Sequence, residues 1–191
     1  MIEVPLKIAA LLANFERPWF FAGGWALDLF LGRVTREHAD IEIGLFRSDQ
    51  LAIQTYLSGW QFSKVINKQS RMEPWLPGEF LKLPNHEVYA ENPTHDPPKL
   101  EILLNEATKT DWLFRKNLAI TRPLSLTILA SANGLSILSP EIVLLYKAAN
   151  PRPKDEADFS FFHDKLNKEQ QVWLHDALTT CYPGHKWLGT I

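Results

Sequence analysis

The first third of the chain shows two alternating spacings of apolar residues. Helical spacing over residues 5–15 predicts a first helix. The apolar run 19–22 predicts a buried strand, which ends in a tight turn at Gly23 and Gly24. Helical spacing returns over residues 25–31. A strand and a helix are therefore joined through a pair of glycines.

The rest of the chain divides into a mixed part and a helical part. After residue 139 the spacing becomes helical, which indicates an α/β part at 1–139 followed by a helical part at 140–191. The predicted strands are 39–46, 62–66, 80–83, 87–90 and 99–105, with two more within 124–138 around Asn133 and Gly134; the predicted helices are 48–57, 141–149, 154–166 and 168–181.

Composition excludes several classes of protein. The 191 residues are 46% hydrophobic with a net charge of −2, which gives no electrostatic reason to expect binding to duplex nucleic acid. Cys181 is the single cysteine, so an internal disulfide and a cysteine-based zinc site are both excluded. The sequence has neither a basic, apolar leader nor an apolar run long enough to span a membrane. We therefore expect a cytoplasmic protein without a membrane partner.

Two acidic residues share one face of the predicted strand 39–46. Side chains alternate along a strand, so Asp40 and Glu42 project from the same side. Such carboxylates repel each other unless a cation or a basic group lies between them, and Mg²⁺ favours carboxylates combined with phosphate oxygens. Glu101, on the predicted strand 99–105, is a third acid in an apolar context. The alternative interpretation is that Asp40 and Glu42 line the solvated face of an edge strand.

Gly23 and Gly24 also indicate a phosphate site. Glycines where a strand enters a helix let backbone N–H groups approach a phosphate, although a turn with positive φ would explain them equally well. Arg36 is expected to stabilise phosphate charge or to pair with Asp28, and His38 to orient a carboxylate. The combination predicts a phosphate-and-metal site.

The segment GGWALDLFLGRVTREHADIEI, residues 23–43, resembles the signature of the DNA polymerase β-type nucleotidyltransferase superfamily. The resemblance is strongest to the branch with the aminoglycoside and lincosamide nucleotidyltransferases, and SPEIVLLYKAANPRPKDEADF, residues 139–159, resembles the same branch. It implies a nucleotidyltransferase-type mixed sheet with flanking helices and a C-terminal helical subdomain. The substitution of Glu for the commoner Asp at the second and third acidic positions is a departure from the pattern.

Carried over residue by residue, the resemblance assigns the site. Asp40 and Glu42 would bind metal, and Glu101 would be a third ligand or the general base, with Glu106 as a rival for that position. Gly23 and Gly24 would contact the triphosphate.

Two lysines of the helical part would reach the nucleotide phosphates, namely Lys147 and Lys154. The alternative for these lysines is stabilisation of a helix end. Asp155 and Asp158 are most simply acids at the start of the next helix, with Lys154 and Asp158 spaced as an i,i+4 pair.

The implied function is Mg²⁺-dependent transfer of a nucleoside monophosphate from a nucleoside triphosphate, ATP in the first instance, to a hydroxyl of a small acceptor. A member that binds nucleotide or a protein partner without transfer is one alternative, motivated by the Glu-for-Asp departures. A protein-modifying or toxin–antitoxin-type nucleotidyltransferase is the other.

Overall fold

The computed structural model, which describes residues 2–66 and 71–191, is organised around one mixed β-sheet. Its strands are β1 (Trp19–Phe21), β2 (Glu42–Phe46), β3 (Gln61–Ile66), β4 (Arg71–Pro74), β5 (Glu87–Glu91), β6 (Lys99–Ala107), β7 (Asp111–Leu113), β8 (Thr121–Pro123), β9 (Ile128–Ala130) and β10 (Ser136–Leu138). They follow the order β4-β3-β5-β6-β2-β1-β10-β9, and β7 and β8 continue from the end of β6. The β2–β6 and β1–β10 pairs are parallel and the others are antiparallel. The predicted mixed sheet is confirmed.

The helices flank the sheet and dominate the end of the chain. They are α1 (Glu3–Leu11), α2 (Gly23–Leu31), α3 (Gln50–Tyr56), α4 (Leu124–Thr127), α5 (Pro140–Ala148), α6 (Pro153–Phe162) and α7 (Lys168–Cys181). Helix α5 packs against α2, α6 and α7, so the helices after residue 139 rest directly on the helix that follows the glycine pair. Their separation into a subdomain at 140–191 stays a prediction. Within the described residues, no helix is long and apolar enough to cross a membrane.

The predicted strand at 80–83 is wrong. The side-chain amide of Gln50 donates to the carbonyl of Leu81 at 3.0 Å, and the N–H of Leu81 donates back to the Gln50 side chain at 2.7 Å. A fully buried side chain therefore satisfies the backbone groups that a neighbouring strand would otherwise bind. The apolar pattern of residues 80–83 is typical of a strand, but the hydrogen bonds from Gln50 replace those of a partner strand.

The predicted strand at 39–46 starts later than expected, at Glu42. Asp40 lies in a bend just before the strand and is exposed. Along the strand itself, Ile43 and Leu45 are fully buried. Gly44 lies against the ring of Phe20, where an added Cβ would overlap the ring, so the packing of β1 on β2 depends on this glycine.

Candidate active site

Glu42 and Glu101 lie side by side at the start of two neighbouring parallel strands. The β2–β6 register pairs Glu42 with Glu101 and then Ile43 with Ile102. Both isoleucines are fully buried, whereas both glutamates line a cleft with a volume of about 420 Å³. The parallel pairing therefore brings together two of the three predicted acids. Asp40 does not line the cleft, but its charge acts on Glu101, and we call the three acids together the acidic end of the cleft.

The surroundings of Glu101 disfavour its ionised form. Burial, followed by the negative charges of Glu42, Glu87 and Asp40, raises the pKa of Glu101 to about 8. The strongest of these causes is loss of water around the carboxylate, and the charges add to it. Glu101 therefore holds or releases a proton close to neutral pH, as a general base must.

The acids do not form a closed ligand cluster. In the described ranges, no group of three or more His, Cys, Asp or Glu side chains is arranged to enclose a metal ion. The carboxylate of Glu42 instead lies against Gly23, at the N-terminus of α2.

The glycine pair makes room for side chains of the same motif. Gly23 has φ of +55° and its missing Cβ leaves the space that the Glu42 carboxylate fills. A Cβ on Gly24 would lie 2.5 Å from His38 Nδ1 and 2.6 Å from an Arg36 nitrogen. Substitution of either glycine would therefore displace a predicted site residue. The triphosphate contact assigned to the pair stays a prediction.

His38 and Thr35 hold a buried carboxylate, that of Asp28. Thr35 donates its backbone N–H at 3.1 Å and its hydroxyl at 2.5 Å, and His38 Nε2 lies 2.5 Å from the same carboxylate. Arg36 Nη1 lies 3.2 Å from His38 Nδ1, and because arginine can only donate, Nδ1 must be the acceptor. The proton of the neutral imidazole is then on Nε2, which donates to Asp28. Burial raises the pKa of Asp28, but the hydrogen bonds from His38 and Thr35 outweigh it and lower that pKa. His38 thus orients a carboxylate, as one interpretation predicted, and that carboxylate is Asp28.

Arg36 connects this motif to the helical part of the chain. Its Nε and Nη2 atoms donate to the two carboxylate oxygens of Asp158, at 3.2 and 3.1 Å. The pairing of Arg36 is therefore with Asp158 on α6, and the predicted alternative of a pair with Asp28 is wrong. Two-pronged contacts of this kind fix orientation as well as charge. A phosphate contact by Arg36 stays a prediction, and its guanidinium is engaged on three sides by protein groups.

Lys147 extends the same chain of charges into the cleft. Its ammonium lies 2.8 Å from Asp155 and 2.9 Å from Asp158, and its side chain lines the cleft. We call Asp28, His38, Arg36, Asp158, Lys147 and Asp155 the ion-pair network. It ties the segment that follows α2 to α5 and α6.

Lys154 differs from Lys147. It is exposed, does not line the cleft, and pairs with no acid in the described part of the chain, so the expected i,i+4 contact with Asp158 is not made. Arg152 takes the cleft position instead, with its Nε 2.9 Å from Asp155. Asp155 also accepts from the Arg152 backbone N–H at 3.0 Å, which is the helix-start role expected of it.

The rival acid Glu106 lies away from the acidic end. It follows along β6, pairs with the buried Arg47 and is absent from the cleft wall. Glu101 is thus the acid of β6 that faces the cleft.

Sequence reasoning missed four residues of the site. Glu87 lines the cleft and Tyr89 donates to it at 3.0 Å, while the register of β5 and β6 places Tyr89 opposite Glu101. The alternation of EVYAE along β5 was the available signal for this pair. Arg115 and Lys116, which also line the cleft, follow a short strand without any recognisable motif.

A larger groove lies elsewhere, between α3 and the β3–β4 hairpin. Its volume is about 810 Å³ and its wall includes Trp60, Phe62 and Trp75. It contains none of the predicted site residues, so its size alone does not indicate the active site.

The sequence and the fold both resemble antibiotic-modifying enzymes. Residues 5–75 match the aminoglycoside-2''-adenylyltransferase family, a range that contains Gly23, Gly24, Asp40 and Glu42. The resemblance predicted from the sequence is thereby confirmed, while Glu101 and Lys147 lie outside the matched range. Among curated proteins, none matches the chain significantly.

Solved structures share the fold over most of the chain. The solution structure of the antibiotic-resistance factor ANT(2'')-Ia has a TM-score of 0.62 at 19% identity, covering 95% of this chain and 92% of that one. A crystal structure of ANT(2'')-Ia with adenylyl-2''-tobramycin gives 0.61 at 18% identity, covering 94% and 99%. The lincosamide antibiotic adenylyltransferase LnuA, bound to lincomycin, gives 0.56 at 15% identity, covering 84% and 94%. The family and these neighbours are adenylyltransferases, and the predicted nucleotidyltransferase-type fold is confirmed.

Proposed function

We propose that this protein is a nucleotidyltransferase that moves a nucleoside monophosphate from a nucleoside triphosphate, ATP by resemblance, to a hydroxyl of a small acceptor. The observation that carries the proposal is the pairing of Glu42 with Glu101 across parallel strands, beside Gly23 at the start of α2. Structural neighbours crystallised with adenylyl-2''-tobramycin and with lincomycin support a small-molecule acceptor.

The donor set fits Mg²⁺. Glu42 and Glu101, with Asp40 nearby, offer hard carboxylate oxygens but do not enclose a metal by themselves, so phosphate oxygens of the nucleotide would complete the coordination. A divalent cation would also relieve the repulsion that contributes to the raised pKa of Glu101. When bound, Mg²⁺ would neutralise triphosphate charge and favour attack at the α-phosphorus. The resemblance and this chemistry support Mg²⁺ as the cofactor.

The residues of the chain then take distinct roles. Backbone N–H groups at Gly23 and Gly24 bind phosphate oxygens, aided by the positive end of α2. Lys147 and Arg152, which also line the cleft, contribute positive charge toward the same phosphates. Glu101 either completes the metal site or, as the general base, accepts the proton of the acceptor hydroxyl as that oxygen attacks; a cation held beside it would lower its pKa from about 8 and favour the carboxylate form that accepts a proton. A phosphate-binding role for Lys154 is supported by the resemblance alone.

The ion-pair network positions these groups. Asp158 holds both Arg36 and Lys147, so the glycine motif and the lysine of α5 are fixed relative to each other. Positioning of this kind lowers the entropic cost of bringing phosphate and acceptor together.

Pyrophosphate release, followed with Mg²⁺, ATP and a panel of hydroxylated acceptors that includes aminoglycosides and lincosamides, tests the proposal. We expect the wild type to release pyrophosphate with at least one acceptor, and Glu42→Gln to lose about 100-fold or more of that rate. Glu16→Gln, an exposed acid far from the cleft, is the matched control and should keep the wild-type rate.

The other outcomes correspond to the alternatives. Nucleotide binding without transfer to any acceptor would favour the non-catalytic interpretation. A mass increase of one nucleotide on a co-purified protein would favour the protein-modifying interpretation. Equal rates in the wild type and Glu42→Gln would contradict the proposed site.

A further inference from the structure

A basic pair, Arg115 and Lys116, lines the cleft at a distance from its acidic end. The carbonyl of His86 accepts from the Leu104 N–H at 2.7 Å, so His86 lies beside Leu104 on β6. Arg115 lies over the ring of Tyr146, which meets the ring of Trp112 edge-on. Trp112 Nε1 in turn donates to the side chain of Asn105, the residue after Leu104, at 3.0 Å. Leu104 is three residues beyond Glu101, or about 10 Å along the strand. Arg115 and Lys116 therefore lie toward the Asn105 end of β6, and the charge of Glu87 acts on both Glu101 and Arg115.

Arg115 differs from the other cations of the site in having no acid as a partner. Lys147 and Arg152 both contact Asp155. The guanidinium of Arg115 lies over the ring of Tyr146, 5.2 Å from its centre, and makes no hydrogen bond or ion pair with the described residues. Burial also lowers the pKa of Arg115. A partly desolvated guanidinium with unused N–H donors in a cleft is suited to bind a carboxylate or phosphate.

We propose that Arg115 and Lys116 bind an anionic group, carboxylate or phosphate, carried by the acceptor; this rests on the proposed nucleotidyl transfer. The triphosphate is already served at the other end by the N-terminus of α2, Lys147 and Arg152. The base and ribose carry no charge that would need two cations.

The acceptor would then lie along β6, with its reacting hydroxyl at Glu101 and its anionic group at Arg115 and Lys116. Glu87, which lies along the same wall and receives a hydrogen bond from Tyr89, is available to accept from further hydroxyl groups. The acceptor class is therefore a hydroxylated acid or phosphate ester. A polycationic aminoglycoside would bring like charge against Arg115.

Inorganic phosphate is the probe, followed by ³¹P NMR on protein saturated with Mg²⁺ and a non-hydrolysable ATP analogue. With the nucleotide sites filled, we expect phosphate to bind, and Arg115→Gln to weaken that binding about tenfold or more. Lys116→Gln, at an exposed position, should weaken phosphate binding several-fold. It replaces Arg115→Gln as the test if that variant fails to fold. Lys109→Gln removes an exposed lysine outside the cleft and should change nothing.

Two results would overturn the proposal. If the nucleotide analogue displaces phosphate, or if Arg115→Gln weakens nucleotide binding about tenfold, the basic pair belongs to the nucleotide. If phosphate affinity is unchanged in both cleft variants, the pair is not an anion site.

Acceptor preference is the second arm, and it separates this proposal from the proposed function. Pyrophosphate release should favour hydroxylated carboxylates or phosphate esters over matched neutral compounds, and Arg115→Gln should remove that preference. Transfer with a preference for aminoglycosides would overturn the acceptor class while leaving nucleotidyl transfer intact. If no acceptor gives pyrophosphate release, or if Glu42→Gln releases it at the wild-type rate, the proposed function fails even where Arg115 still binds phosphate, and the assignment to an acceptor falls with it.

Discussion

The acidic end of the cleft and the ion-pair network lie on opposite sides of Gly23 and Gly24, and they treat charge in opposite ways. In the network, the buried carboxylates of Asp28, Asp155 and Asp158 have basic or hydrogen-bonding partners within about 3 Å. At the acidic end, Glu101 has negative neighbours instead, and its pKa rises to about 8.

The difference distinguishes residues that stabilise the fold, in the ion-pair network, from residues that bind a ligand, at the acidic end of the cleft. Paired charges recover in the protein what they lose by leaving water, whereas crowded like charges lower stability until a cation arrives. Substitutions at the acidic end should therefore harm activity and help stability, and substitutions in the network should harm both.

The largest effect is expected for Glu101→Gln on transfer. The amide cannot accept the hydroxyl proton, so the rate of pyrophosphate release should fall about 10²–10⁴-fold. Glu16→Gln is again the control. A rate within tenfold of the wild type would show that Glu101 is not the base.

The same variant should be more stable than the wild type above neutral pH. The pKa of Glu101 is raised from 4.5 in the reference state to about 8, so the unfolded chain loses its proton first. The free energy of unfolding of the wild type therefore declines as pH rises from 4.5 to 8, a decline that Glu101→Gln lacks. Urea unfolding should give the variant an advantage of about 2–4 kcal/mol at pH 8–9 and little at pH 4.5. A constant difference across this range would contradict the crowding of the acids.

Asp158→Asn should act in the opposite direction. The loss of one buried charge leaves both Arg36 and Lys147 without a full partner, so the free energy of unfolding should fall by about 1–3 kcal/mol. Asp164→Asn removes an exposed acid that pairs with Lys165, and should cost less than about 0.5 kcal/mol. Equal losses in the free energy of unfolding for the two variants, measured with urea, would show that the network does not stabilise the fold.

The smallest effects compare the two lysines that sequence reasoning treated alike. Lys147→Gln should raise the KM for ATP about tenfold, because Lys147 lines the cleft. Lys154→Gln should stay within about twofold, because Lys154 is exposed outside it. Steady-state kinetics with varied ATP would measure both KM values. A larger increase in KM for Lys154→Gln than for Lys147→Gln would contradict the assignment of Lys147 to the nucleotide.

The sequence predicted local features well. Apolar spacing located α2, α7 and β6, because it reflects which face each element buries. The alternation that put Asp40 and Glu42 on one strand face is wrong for Asp40, which lies in a bend before β2. The failed strand at 80–83 shows the limit, since a single distant side chain, Gln50, replaced the partner strand.

Contacts between distant segments could not be predicted in the same way. The register that pairs Glu42 with Glu101 depends on which strands become neighbours, and the Arg36–Asp158 contact depends on how α6 packs on the motif. Arg115 and Lys116 carried no motif, so the cleft alone reveals them. Glu101 was assigned through a resemblance, and its location beside Glu42 now supports that assignment.

Ligand-linked stability is the most direct measurement of the central claim, that the crowded acids hold a metal–nucleotide complex. The free energy of unfolding of the wild type and Glu42→Gln would be measured at pH 8 with and without Mg²⁺ and the ATP analogue. A ligand at about 100 times its Kd should stabilise the wild type by about 2.7 kcal/mol, and Glu42→Gln by far less. Equal stabilisation of the two proteins, or none in the wild type, would contradict the claim.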